Sequence, residues 1–235
     1  MYITSGVDTV VLHMPKCGGS SVRWAINKKY PDYRWSCEHV DIKALPERFK
    51  DFRRIGFCRN PITWYKSKYY HAYNRFQHGK SNSLIFSNIL SNGFKLSFER
   101  TLPRYLDVRN FFDMHPEHLA KFKKRVKMLS MNEYLCRAIL TYPDASEITA
   151  ADFGDTLYDH WYNAVGLDTA VVYKMDDGSF ASTVAEEFPG VVLEHRNKGN
   201  CKYASALYTS DMKRAIYQAD RQYFDLHGYP SGLSP

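Results

Sequence analysis

Apolar positions recur along this chain in two rhythms. Val10, Val11 and Leu12 form an unbroken apolar run, the pattern of a parallel strand buried on both faces. Val22, Ala25 and Ile26 then repeat at helical spacing, which predicts a helix with one inward face. Arg54–Cys58 reads as a second strand. Asn60 and Pro61 follow it with a good helix cap and a ring that suits the first helical position, where no N–H is needed. Asn60, Trp64, Ser67 and His71 share one face of that helix. Ala170–Met175 predicts a further strand, with a helix near Ser179–Phe188 and a short apolar run, Val191–Leu193, before a loop over His195–Tyr203. In the last helix, Thr209 or Ser210 is the cap, Met212, Ile216, Ala219, Tyr223 and Leu226 step along one face, and Gly228 and Pro230 end it. Residues 84–165 carry amphipathic helical stretches, among them Met131–Leu140.

Strand alternating with helix predicts an α/β fold, a parallel sheet with helices on both faces and a helical insertion in the middle of the chain. At 235 residues, with no repeat and no low-complexity tract, the simplest organisation is one domain over residues 1–235. No apolar stretch is long enough to span a bilayer, and the N-terminus lacks the features of a signal peptide. Five cysteines, Cys17, Cys37, Cys58, Cys136 and Cys201, have no metal-ligand spacing, and their odd number argues against a complete disulfide set. The expectation is a cytoplasmic protein with no membrane segment.

The junction between first strand and first helix holds candidate chemistry. It reads His13-Met14-Pro15-Lys16-Cys17-Gly18-Gly19-Ser20-Ser21. Glycines let the backbone approach a ligand closely, and the opening N–H groups of a helix have no acceptor within it. Ser20 and Ser21 add hydroxyl donors and Lys16 a mobile positive charge. Taken alone, the segment is either a phosphate cradle or an ordinary turn of small residues. It is not a Walker A loop, because that pattern puts its lysine after the glycines. Arg59, just before the second helix, and Ser67, two turns along it, can converge on one anion beside the strand ends. The bland alternative is a surface charge and a helix filler.

Charge agrees with an anionic ligand without identifying it. The formal net charge is +7, and residues 42–80 hold ten Lys/Arg against two Asp/Glu. Such a field concentrates anions, whether a small cofactor or a nucleic acid. The eighteen tyrosines suit stacking platforms, cores and sugar sites alike. Lys121–Lys127 reads as a solvated helix face or as a contact for an anionic acceptor.

Together, the two motifs resemble the sulfotransferases that use 3′-phosphoadenosine 5′-phosphosulfate (PAPS). Pro15-Lys16-Cys17-Gly18-Gly19-Ser20-Ser21 is similar to their 5′-phosphosulfate loop, P-K-T-G-G-T-S. Arg59-Asn60-Pro61 with Ser67-Lys68-Tyr69 is similar to their 3′-phosphate motif, R-[ND]-P followed six residues on by S-x-[YW]. Val171–Asp177, Phe188-Pro189-Gly190 and His195-Arg196-Asn197 resemble the family's later strand and loop. The resemblance implies a P-loop-like core with a helical acceptor-binding insertion. It implies that Lys16 contacts the sulfate and the bridging oxygen, that Cys17 through Ser21 hold the 5′-phosphate, and that Arg59 and Ser67 hold the 3′-phosphate. Cys17 stands where threonine is common, so backbone contact is expected there, and Lys198 is a weak further candidate.

Sulfuryl transfer also needs a base for the acceptor hydroxyl. Trp35-Ser36-Cys37-Glu38-His39-Val40-Asp41 resembles the W-S-C-x-x-H-x-D stretch of heparan sulfate 6-O-sulfotransferases, in which the histidine is the base. One residue, not two, separates Cys37 from His39 here. His39 is the expected base, with Glu38 or Asp41 as carboxylate alternatives, and His71 resembles an acceptor-binding histidine. His13 reads equally well as a packed residue. The acceptor implied is a hydroxyl compound, a carbohydrate by this likeness, and no metal is called for. Two other readings stay open: a P-loop kinase using ATP, and a noncatalytic RNA-binding module exploiting the basic, tyrosine-rich surface.

Overall fold

The structure is a computed structural model that describes residues 2–4, 8–30, 34–35, 41–78, 85–128, 145–194 and 208–232. In chain order it contains β1 (Tyr2–Thr4), β2 (Thr9–Leu12), α1 (Gly19–Lys29), β3 (Arg34–Trp35), β4 (Arg53–Cys58) and α2 (Pro61–Gln77). Four helices follow: α3 (Ile85–Leu90), α4 (Phe98–Tyr105), α5 (Val108–Met114) and α6 (Pro116–Lys127). The order ends with α7 (Leu157–Ala164), β5 (Val171–Lys174), α8 (Phe180–Glu187), α9 (Ser210–Ala219) and α10 (Arg221–His227). The chain divides into a sheet unit, residues 1–59, 132–141 and 162–200, and a helical unit, residues 60–131, 142–161 and 201–235.

The sheet unit holds a five-stranded sheet in the order β3-β1-β2-β4-β5. β2, β4 and β5 run parallel, as expected of α/β architecture. β1 pairs antiparallel with β2, and β3 antiparallel with β1, so the sheet is mixed and the wholly parallel expectation is corrected. Three residues of β1 and two of β3 are too short to display a period, and only pairing with β2 reveals them. β2 is buried along its whole length, while β5 is half-exposed, as befits a strand at the end of the order. Gly56 of β4 seats Leu167: a Cβ there would lie 2.1 Å from Leu167 Cδ2. At the start of β4, Arg53 donates from Nη2 to Glu187 Oε1 at 2.8 Å, and the Tyr173 hydroxyl donates to the same carboxylate.

Parallel pairing brings the carboxyl ends of β2, β4 and β5 to one edge of the sheet. Leu12 lies opposite Gly56 and Cys58 opposite Lys174, and Met175 N donates to Cys58 O at 3.1 Å beyond the last strand pair. Residues 13–18, Arg59 and Met175–Asp177 all emerge at that edge.

In the helical unit, α2 starts as its sequence predicts: Asn60 Oδ1 accepts from Ile62 N at 2.9 Å, with Pro61 in the first position. Phe112 and Phe153 stack at 4.5 Å, and Phe122 packs against Phe153 at 5.2 Å and Phe86 at 5.0 Å, giving this unit an aromatic core. The C-terminal segment is two helices, not one. Asp220, four residues after Ile216, takes the inward position that the spacing gave to Ala219, while Ala219 and Leu226 are exposed. Its carboxylate accepts from Tyr65 OH at 2.8 Å and Thr156 Oγ1 at 2.6 Å, and the helix breaks there. Gly228, at φ 59°, ends α10 as expected.

Candidate anion-binding site at the strand ends

After β2 the chain turns sharply over Pro15 and Lys16. Cys17 N donates to Met14 O at 3.3 Å, and Lys16 holds a left-handed φ of 68°, unusual for a residue with a side chain. Gly18, at φ 76°, caps α1, and its carbonyl accepts from Ser21 N at 2.9 Å and Val22 N at 3.2 Å. Gly18 brings no side-chain cap to this end and the first turn carries no acidic residue, whereas Lys28 and Lys29 stand in the last turn. The positive end of the helix dipole is therefore set at the turn with no carboxylate of its own first turn to offset it.

Both glycines are required by close packing. A Cβ on Gly18 would fall 2.6 Å from the Phe180 ring, and one on Gly19 1.9 Å from the His13 ring. His13 is buried, its imidazole lodged under the start of α1. Cys17 is fully buried, with its thiol toward Pro15 O at 3.7 Å. Burial pushes the Cys17 thiol up, Cys58 and Asp176 add to the rise, and Arg59 and Lys16 partly offset it. An un-ionised, enclosed thiol supplies backbone and volume here rather than a nucleophile.

Arg59 leaves β4 at the same edge, and its Nε lies 3.3 Å from Asp176 Oδ1. The Arg59 and Asp176 side chains are 26% and 24% exposed, so the pair is neither locked in a core nor fully solvated. Lys16, Arg59 and Asp176 all act on the Cys17 thiol, which places two cations and one carboxylate around this turn. Asp176 was not singled out in the sequence, where Asp-Asp-Gly-Ser after a strand has the composition of a plain turn. Asp177 does serve that purpose: its Oδ1 accepts from Ser179 N at 3.0 Å and Ser179 Oγ at 2.6 Å.

Ser20 and Ser21 are half-buried in the first turn of α1. Ser67 and His71 are half-buried on α2, one turn apart, in the helical unit. His39, Glu38 and Lys198 lie outside the described residues, as do Met131–Leu140 and the His195–Tyr203 loop. Asp41 is buried and caps a 3₁₀ turn, accepting from Lys43 N at 2.8 Å, which gives it a structural task.

This edge can hold an anion against backbone N–H groups and a lysine, with an arginine one strand away. Among the described residues, no three His, Cys, Asp or Glu side chains are grouped to hold a metal ion, and no helix is long and apolar enough to cross a membrane. No protein-family model, no curated protein and no solved structure matches the chain.

Proposed function

We propose that this protein is a PAPS-dependent sulfotransferase that places a sulfuryl group on an acceptor hydroxyl, with a carbohydrate as the acceptor class. The observation that carries the reading is the shared edge: the Lys16 turn follows β2, Arg59 follows β4, and these strands are parallel neighbours. Two cations so placed suit a nucleotide charged at both its 5′ and 3′ positions. On this reading the sheet is a P-loop-like core flanked by helices, and the segment between β4 and β5 is the acceptor-binding insertion.

The turn amides and the hydroxyls of Ser20 and Ser21 hold the 5′-phosphosulfate, and Arg59 holds the 3′-phosphate. The acceptor oxygen attacks sulfur in line, forming one S–O bond as the bond to the bridging oxygen breaks. Lys16 neutralises the charge that develops on that departing oxygen. His39, the base implied by the family resemblance, takes the acceptor proton, a role open to a neutral imidazole. The products are a sulfate ester and adenosine 3′,5′-bisphosphate.

Incubation with radiolabelled PAPS and a panel of saccharides tests the activity directly. Labelled ester is the expected product, with turnover reduced roughly 10²-fold or more in Lys16→Ala, the scale of losing one electrostatic contact in a transition state. Near-normal turnover of that variant at saturating donor would remove the role. Binding of ATP in preference to the 3′,5′-bisphosphate would instead favour a kinase. Steeply salt-dependent RNA affinity without transfer would favour an RNA-binding module.

A further inference from the structure

We infer that Asp176 is a positioning residue for Arg59, and that it sets how strongly the site distinguishes a 3′-phosphorylated nucleotide from one with a free 3′-hydroxyl. The inference rests on the assignment of Arg59 to the 3′-phosphate. Two consecutive aspartates follow β5, and they do different things. Asp177 builds the turn into α8 through Ser179, whereas Asp176 faces Arg59, 3.3 Å from Nε. Backbone pairing between Met175 N and Cys58 O, at 3.1 Å, ties together the two strand ends that carry this pair. The residues just before Arg59 and Asp176 are thus paired to each other, one residue from the contact.

Its geometry matters because a guanidinium offers distinct edges. A carboxylate at Nε takes the edge nearest the chain, and the opposite edge, formed by Nη1 and Nη2, is the fork that grips a phosphate end-on. Arginine otherwise gives up many rotamers on binding, so holding one edge prepares the other. Simple charge repulsion predicts the reverse, namely that Asp176 competes with the phosphate and that its removal tightens binding. The two signs make the question experimental.

Calorimetry with adenosine 3′,5′-bisphosphate and adenosine 5′-monophosphate, on wild type and variants, supplies the test. In Asp176→Ala the preference for the bisphosphate should fall about tenfold, the scale of one charge-assisted hydrogen bond, with 5′-monophosphate affinity unchanged. Asp176→Asn keeps an oxygen beside Nε but not the charge and should retain part of the preference, a rescue that general loosening of the fold would not give. If Asp176→Ala does not fold, Asp176→Ser is expected to show the same selective loss. An unchanged or increased preference, or an equal loss for both nucleotides, overturns the inference. Failure of the underlying assignment looks different: the wild type would show no preference for the 3′-phosphate, and Arg59→Ala would change nothing.

Discussion

The sheet unit and the helical unit handle charge in opposite ways. In the sheet unit, Arg59 and Asp176 meet at strand ends where about a quarter of each side chain still reaches water. In the helical unit, Asp220 is wholly enclosed and held by two hydroxyls from distant parts of the chain. A half-solvated ion pair contributes little to stability and leaves its guanidinium within reach of a ligand. A buried carboxylate that loses its partners leaves an expensive orphan. One arrangement is suited to binding, the other to fixing a fold.

The contrast is best broken at the turn itself. Gly19→Ala would drive a Cβ to 1.9 Å from the buried His13 ring at the start of α1. We expect a loss on the order of 3 kcal/mol by chemical denaturation and, on the proposed reading, loss of bisphosphate binding, since the ring or the turn must shift to admit the methyl group. Tolerance of that methyl group would mean that the strand-end edge is softer than its packing states.

Asp220 sharpens the other half of the contrast. Burial pushes its carboxyl up to about 7 from an ordinary 3.8, against the hydrogen bonds from Thr156 and Tyr65 that favour ionisation. Its folded pKa exceeds its unfolded one, so its contribution is fully present below the unfolded value and is lost as pH rises through about 7. Thermal melts between about pH 5 and about pH 8 should therefore show a falling melting temperature that Asp220→Asn flattens. An identical slope in wild type and variant would remove Asp220 from the account. Asp220→Ala, which strands the Tyr65 and Thr156 hydroxyls, should cost about 2 kcal/mol.

The smallest effect is expected at the rim of the sheet. Arg53, half-exposed, pairs with Glu187 next to Tyr173, and Arg53→Ala should cost about 1 kcal/mol or less in a denaturation series. A larger loss would show that an exposed clamp can carry weight comparable to the enclosed carboxylate.

What was legible in the sequence follows the same division. The turn at 13–21 and the Asn60-Pro61 helix start are built from neighbours in sequence, so their residue types state their geometry directly. Strands β2, β4 and β5 were readable because apolar runs of three or more residues leave a pattern. Asp176 was not, because its partner is reached only through the sheet register that sets the end of β5 beside the end of β4. Asp220 escaped for a related reason: a polar residue at an inward helical position is compensated by Tyr65 and Thr156, far away along the chain. The apolar stripe drawn through Ala219 took no account of them. The role of Gly56 was not legible either, because Leu167, which sits on it, is far along the chain.

Cys17 and Cys58 are both buried beside this edge, and neither is in a disulfide. Because alkylating reagents attack only accessible thiolate, the native protein should hide both from iodoacetamide. Peptide mapping of labelled Cys17 and Cys58 would then act as a clock for excursions in which the strand ends part. A nucleotide that pins the turn would slow that clock without any probe having been engineered into the chain.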